Sequence, residues 1–391
     1  MIVPTGIGAA IGGYAGDALP VARSLSSVVD CLISHPNVLN AAMLYWPMPN
    51  TLYVEGYALD RFAEGLWGLQ PVHQNRVGLV LDAGIEEDLQ LRHLQVADAA
   101  RASLGLPVVE MWVDPKSGQS AGRIKHPGSL LRAVQTLISR SKVNAVAVVG
   151  RFPDDDLQET DDYRQGMGID ILAGVEAIIS HLVVREFHIP CAHAPALAPL
   201  PLSLTLSPKS AAEECDLIDL TQEISIAYSP FASHLYLDDP SLACMTTLLS
   251  LQQLGYTFLP CVLAGLSNAP QYIKNSESMD KGCILASDVD SVILPVDACA
   301  GDGALAFAQR NINKPLIIVV EENETVLSDT PDNLGIEAVK VSNYWEAIGV
   351  IAAHKAGVNP HSLRRNGIKN LQRAPLVPTN GYAVSSTRPV T

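Results

Sequence analysis

Five glycines fall between Gly6 and Gly16, in the run Gly6-Ile7-Gly8-Ala9-Ala10-Ile11-Gly12-Gly13-Tyr14-Ala15-Gly16-Asp17, with no charge before Asp17. Glycine loses more backbone entropy on ordering than any other residue. Such density therefore serves positive φ or a backbone that must come within contact of something else. Bare N–H groups in a row can cradle phosphate or carboxylate, which makes Gly8, Gly12, Gly13 and Asp17 candidate ligand contacts. The spacing is not the G-x-G-x-x-G of dinucleotide sites, and only Met1 to Thr5 precede it, too little for a confident opening strand. A structural Gly/Ala turn reads the same residues equally well.

Other chemistry-bearing residues follow apolar runs. Glu321-Glu322-Asn323 leaves the run PLIIVV. Adjacent side chains on a strand point to opposite faces, so one of the two carboxylates faces a cleft. Beside Val319 and Val320 that group could have a raised pKa and act as acid or base, whereas the plain alternative is a helix N-cap. Asp297, Gly301 and Gly303 lie in a Gly-containing turn after another apolar run. Gly265-Leu266-Ser267-Asn268-Ala269 is similar to a nucleophile elbow, with Asp288, Asp297 and His354 later in the chain. Pro270 stands where the helix of an elbow should start, and no oxyanion segment is evident. His188, Cys191 and His193 place three ligand-type side chains within six residues, with His181 nearby, but no second cluster completes a four-ligand set. No metal is therefore assigned. His193 is retained as a general-base candidate beside the reading of a backbone-bonded histidine in a Pro-constrained turn.

The elements that must position these residues are legible as alternating apolar runs and amphipathic stretches. Strands are expected at 40–45, 77–81, 107–113, 145–149, 186–189, 256–263, 289–295, 315–320 and 337–341. Helices are expected at 53–66, 87–104, 129–139, 169–183, 240–254, 304–310 and 344–356, with Leu89, Leu91, Leu94, Val96, Ala97 and Ala100 on the inner face of 87–104. Strands without polar alternation need cover on both faces. The fold class is thus α/β, with mainly parallel, doubly wound sheets, helices on both faces and two lobes. The lobes are expected at 1–190 and, Rossmann-like, at 210–358. A Pro-rich crossover (191–209) joins them and a polar tail (359–391) follows. Segment 151–168, rich in carboxylates, reads as a solvated loop or flap. In open parallel sheets ligands bind beyond the carboxyl ends of the strands, and that edge collects the candidates above.

Composition narrows the partners. Among 391 residues, 41 acidic against 26 basic give a formal charge of −15, which disfavours nucleic acid and anionic membranes. An apolar content of 48% with only 5% aromatics suits cores of Ala, Val, Ile and Leu. Seven cysteines (31, 191, 215, 244, 261, 283 and 299) form no C-x-x-C pair and read as thiols of a reducing compartment. No secretory signal and no membrane span are expected.

GIGAAIGGYAGDA from Gly6, EAIISH (176–181), IPCAHAPAL (189–197), LAGLSNAPQY (263–272) and VEENETVL (320–327) resemble blocks of an uncharacterised family of cyanobacterial and plastid proteins. The similarity spans roughly residues 3–357. It brings no assigned reaction. It implies a cytoplasmic protein, stromal in plastid-bearing relatives, whose five blocks belong to one molecule.

The resulting expectation is an enzyme acting on a small polar or anionic metabolite by acid–base chemistry at the carboxyl edge of the sheet. Glu321 or Glu322 would act with His193 or Asp297. Gly8, Gly12, Gly13, Asp17, Asn268, Gly301, Gly303 and Asn323 would hold the ligand. A non-catalytic ligand-binding or assembly protein is the first alternative, and a serine hydrolase using Ser267 the second. The sequence names no cofactor and leaves homo-oligomerisation open.

Overall fold

The computed structural model describes residues 2–3, 19–35, 48–106, 108–114, 119–120, 123–124, 126–151, 171–196, 258–274, 282–325, 327–365 and 367. Along the chain come β1 (Ile2–Val3), α1 (Leu19–Val28), β2 (Leu32–Ser34), β3 (Thr51–Tyr53), α2 (Gly56–Ala63) and β4 (Gly68–Gln70). The middle holds β5 (Val77–Asp82), α3 (Glu87–Leu104), β6 (Val108–Asp114), β7 (Gln119–Ser120), β8 (Arg123–Ile124), α4 (Pro127–Ser141), β9 (Ala145–Arg151), α5 (Ile171–Phe187) and β10 (Cys191–Ala196). The remainder is α6 (Phe258–Ser267), β11 (Gln271–Ile273), β12 (Ser291–Pro295), α7 (Asp302–Ala308), β13 (Leu316–Val320), α8 (Pro331–Leu334), β14 (Val339–Val341) and α9 (Tyr344–Lys355).

Two parallel sheets organise these elements, and the fold is α/β. The first has the order β14-β13-β12-β1-β2-β3, with every neighbouring pair parallel. Taken from β3, this is the doubly wound order 3-2-1-4-5-6, which reverses direction between β1 and β12. The second is β10-β9-β5-β6, also parallel, and its direction reverses between β5 and β9. β4 and β11 form a small antiparallel pair. The strands are apolar because both faces are covered: all six residues of β5 are buried, as are Ile317 to Val320 of β13.

The expected division at residue 190 does not follow the sheets. Residues 2–53 and 291–341 share one sheet, through Ile2 opposite both Ile33 and Val292, while the second sheet is built from residues 77–196. Parallel pairing is non-local, so strands distant in sequence complete one another's hydrogen bonds.

Four local expectations are corrected. The run 256–263 is not a strand; Phe258–Ser267 is the helix α6, which buries Leu259, Cys261, Val262, Leu263, Gly265 and Leu266 and packs on α3, β9 and β10. A short, continuously apolar run cannot be assigned by periodicity. The strand expected at 186–189 is instead the end of α5, and His188 follows it in the left-handed region with φ 57°. The crossover expected at 191–209 begins as the buried strand β10, parallel to β9. On α3 the inner face is Leu89, His93, Ala97 and Ala100, whereas Leu91 points outward. The readings at 40–45, 152–168, 197–254 and 368–391 lie outside the described residues. Among those described, no helix is long and apolar enough to cross a membrane.

The two sheets meet through close approaches that admit no extra atom. A Cβ on Gly265 of α6 would lie 2.8 Å from Cε2 of Tyr53, the last residue of β3. Tyr53 is 2% exposed, so its ring has little room to yield. Gly265→Ala is expected to destabilise the fold by about 1–3 kcal/mol through overpacking, read as a lower urea midpoint with an unchanged m value. An unchanged midpoint would refute the tight contact.

Candidate active site

β3 ends at Tyr53, and two residues later Glu55 caps α2: its Oε2 accepts a hydrogen bond from the Tyr57 N–H at 2.8 Å. Serine, threonine, aspartate and asparagine are the usual caps. A glutamate here adds a negative charge that suits the positive end of the helix dipole. Glu55 is 2% exposed, and a buried carboxylate needs further partners. It receives one from the other sheet's unit: His181 of α5 donates its Nδ1–H to Glu55 Oε1 at 2.6 Å. The hydroxyl of Tyr272, on β11, lies 3.5 Å from the Glu55 amide.

His181 is poised at a boundary. Its side chain is 44% exposed, and Nε2 has no hydrogen bond among the described residues. The hydrogen bond from Glu55 raises its pKa, desolvation opposes, and the charges of Glu55 and Asp60 add to the rise. A second imidazole stands next to it. A Cβ on Gly56 would lie 3.3 Å from His35 Nε2 and 3.5 Å from His181 Cε1, so both rings lie against this glycine. His35 follows β2, and desolvation lowers it to about 4, with Glu55 opposing and His181 assisting. His35 and Glu55 thus leave the carboxyl ends of adjacent strands, β2 and β3.

Behind the pair, Ser180 Oγ and His193 Nδ1 share a hydrogen bond of 3.0 Å between α5 and β10, and both side chains are buried. Burial lowers His193 to about 3, with His35 as a lesser cause. A group held neutral in this way makes a weak proton carrier. Its bond to Ser180 ties α5 to β10 one residue before His181. Tyr57 meets His181 edge-on at 5.6 Å, and Trp67 contacts Tyr57 edge-on and stacks on Tyr272.

The residues singled out from sequence divide into groups. Asp297 accepts the Thr325 N–H on both oxygens at 2.9 Å, and Val296 donates to the Asn323 carbonyl at 3.4 Å, so the turns 297–303 and 321–323 lie together. Glu321 and Glu322 are exposed, because β13 ends at Val320 and both sit in the turn beyond it. Glu322 lies 3.4 Å from the Tyr344 amide at the start of α9. The buried-base expectation for this pair is corrected. Asn323 is buried; its Nδ2 donates to the Tyr344 hydroxyl at 2.7 Å, and its Oδ1 has no hydrogen bond among the described residues. Gly301 precedes α7 and is exposed, while the Gly303 amide donates to Asp60 Oδ1 at 2.9 Å.

Ser267 and Asn268 stand elsewhere. Ser267 Oγ donates to the Ala264 carbonyl at 2.7 Å within the last turn of α6, and its own carbonyl accepts from Asn75, just before β5. That is the amino end of the second sheet, and a helical serine bonded to its own helix is no nucleophile elbow. Asn268 Oδ1 is buried and has no hydrogen bond among the described residues. His188 contacts Lys274, and Cys191 is a buried thiol pushed up by desolvation and by Glu55. Among the described residues no group of three His, Cys, Asp or Glu could hold a metal. Gly8, Gly12, Gly13 and Asp17 lie outside the described residues. A short strand does precede them: β1 ends at Val3, between β2 and β12.

Glu55, His181 as Glu55's partner, His35 and Asp60 were missed. The signal that the sequence does offer is the EAIISH block, which ends at His181. Nothing local marks a contact between positions 126 residues apart.

The histidines also set an acid limit. The folded values of His193 and His35, about 3 and about 4, lie below the ordinary 6.5. The unfolded chain therefore binds more protons in that window, and stability, full above pH 6.5, falls as pH drops. His181, being raised, contributes below 6.5 and loses its share as pH rises through its folded value. His193→Asn is expected to flatten the decline of the urea midpoint between pH 6.5 and 4. An unaltered slope would refute the assignment.

The family model described as a protein of unknown function, DUF3326, matches residues 1–221 and 215–364. An uncharacterized lipoprotein of Synechococcus sp. is 49% identical over 374 residues, which cover 93% of this chain and 92% of the relative. No solved structure matches. The chain belongs to the DUF3326 family of proteins of unknown function.

Proposed function

We propose that this protein is an enzyme that acts on a small polar metabolite by acid–base chemistry at the carboxyl edge of its first sheet, with His181 as the proton-transferring group. The observation that carries the reading is the 2.6 Å bond between the buried carboxylate of Glu55 and an imidazole whose far side is open. A carboxylate on Nδ1 fixes the tautomer and orientation of the ring, stabilises the imidazolium and leaves Nε2 to exchange protons with a ligand. The location supports it: ligands of doubly wound sheets bind beyond the carboxyl ends of the strands, near the reversal of strand order. β1, which feeds the Gly-rich segment, stands at that reversal. The five described cysteines are free thiols, which favours a reducing compartment such as the cytoplasm. The word lipoprotein belongs to the Synechococcus relative's name.

The protein, incubated with a mixture of small polar metabolites and followed by mass spectrometry, is expected to convert at least one component. His181→Gln should slow that conversion by about 100-fold or more, the usual weight of a general acid–base group. Glu55→Gln should move the His181 titration to lower pH, seen by NMR of the ring. A metabolite retained by wild type and variant alike, with no conversion by either, would replace the enzyme with a binding protein.

A further inference from the structure

Gly56 and Asp60 are four residues apart on α2, and so lie on one face a helical turn from each other. His35 and His181 both lie against Gly56. Asp60 is the next polar group along that face, about 6 Å up the helix axis at 1.5 Å per residue. Its carboxylate is partly exposed and anchored at one oxygen: Oδ1 accepts the Gly303 N–H at 2.9 Å. The anchor requires glycine, since a Cβ at 303 would itself lie 2.9 Å from Asp60 Oδ1. Oδ2 has no hydrogen bond among the described residues. A carboxylate with one oxygen pinned and the other open has fixed geometry and a reactive end.

We propose that Asp60 is the second proton-transfer group of this site, working opposite His181 on one small polar carbonyl compound. The inference rests on the reading of His181 given above and adds a partner and a reaction class to it. The charges around the pair favour a division of labour. Glu55 stabilises the imidazolium of His181. Desolvation raises Asp60; the Gly303 amide lowers it, Asp302 raises it, and His181 and Arg61 lower it. Arg61 is itself paired with Glu64 at 2.8 Å. The uncharged His35 adds no competing charge.

The step balances without an oxidant. Asp60 Oδ2 takes the proton from a carbon beside the carbonyl, and the C–H electron pair becomes the C=C bond of an enol. His181 Nε2 gives its proton to the carbonyl oxygen. For an isomer, Asp60 returns its proton to the former carbonyl carbon while His181 takes the proton of the hydroxyl on the neighbouring carbon, whose C=O then forms. For an epimer, the proton returns to the other face of the original carbon while His181 takes back the enol proton and the first C=O re-forms.

The test is incubation in D2O with a panel of small aldoses, ketoses and 2-oxo acids, read by mass spectrometry. Wild type is expected to add one deuterium to at least one compound. Asp60→Asn, whose side-chain oxygen can still accept the Gly303 amide, should cut the rate by about 100-fold or more. It should also remove the acidic limb of the pH profile and lower the His181 titration seen by NMR. Gly303→Ala, which displaces the carboxylate without removing its charge, should slow exchange as well. Wild-type exchange by Asp60→Asn, with His181→Gln inactive, would overturn the role of Asp60 and leave that of His181 standing. Conversion of a metabolite without any deuterium uptake by wild type would overturn the reaction class.

Discussion

A carboxylate removed from water must be paired, and Glu55 is the clearest case in this fold. At 2% exposure it cannot rely on solvent, so its two oxygens divide between the first turn of α2 and the ring of His181. One contact orders the helix that leaves the first sheet, and the other ties that helix to α5 of the second. The docking of the two units and the state of the candidate acid–base group therefore rest on the same carboxylate. Loss of the histidine would leave a buried charge without its partner, which is far more costly than the intact pair is stabilising.

The three histidines near this carboxylate illustrate how position sets chemistry. His181 receives a charged hydrogen bond and is raised, whereas His35 and His193 are dominated by desolvation and fall to about 4 and about 3. Neighbouring imidazoles thus separate into one whose charged form is favoured and two whose neutral form is favoured, by environment alone. His193 is bonded to Ser180, the residue before His181 on α5.

Topology explains why the pieces meet here. The middle of the chain, including the whole second sheet, is inserted between the third and fourth strands of the first. The chain leaves the first sheet after β3, through Glu55, and must pass its carboxyl edge. The turn that carries Gly303 follows β12 at that same edge and reaches α2 through Asp60. The carboxyl edge of the second sheet is organised differently: Asp82 accepts from the Gly84 and Arg151 amides, and the Arg151 guanidinium forks onto Glu86.

Apolar runs without alternation, such as VGLVL, AVAVV and PLIIVV, were enough by themselves to determine parallel strands covered on both faces. The amphipathic stretch at 87–104 likewise determined its helix, because both patterns are local records of which side chains must avoid water. The same local record misled where the run is continuously apolar, as at Phe258–Leu266, since such a segment has no periodicity to show. It also could not reveal that β12 returns to pair with β1, for strand pairing is chosen by complementarity between segments far apart. Glu55 and His181 sat unremarkably in a capping position and a helix interior, while Glu321, Glu322 and Ser267 looked better placed than they are. Tertiary structure alone decided that a carboxylate and an imidazole 126 residues apart share a proton, because burial and distance are properties of the folded chain and have no counterpart in the order of its residues.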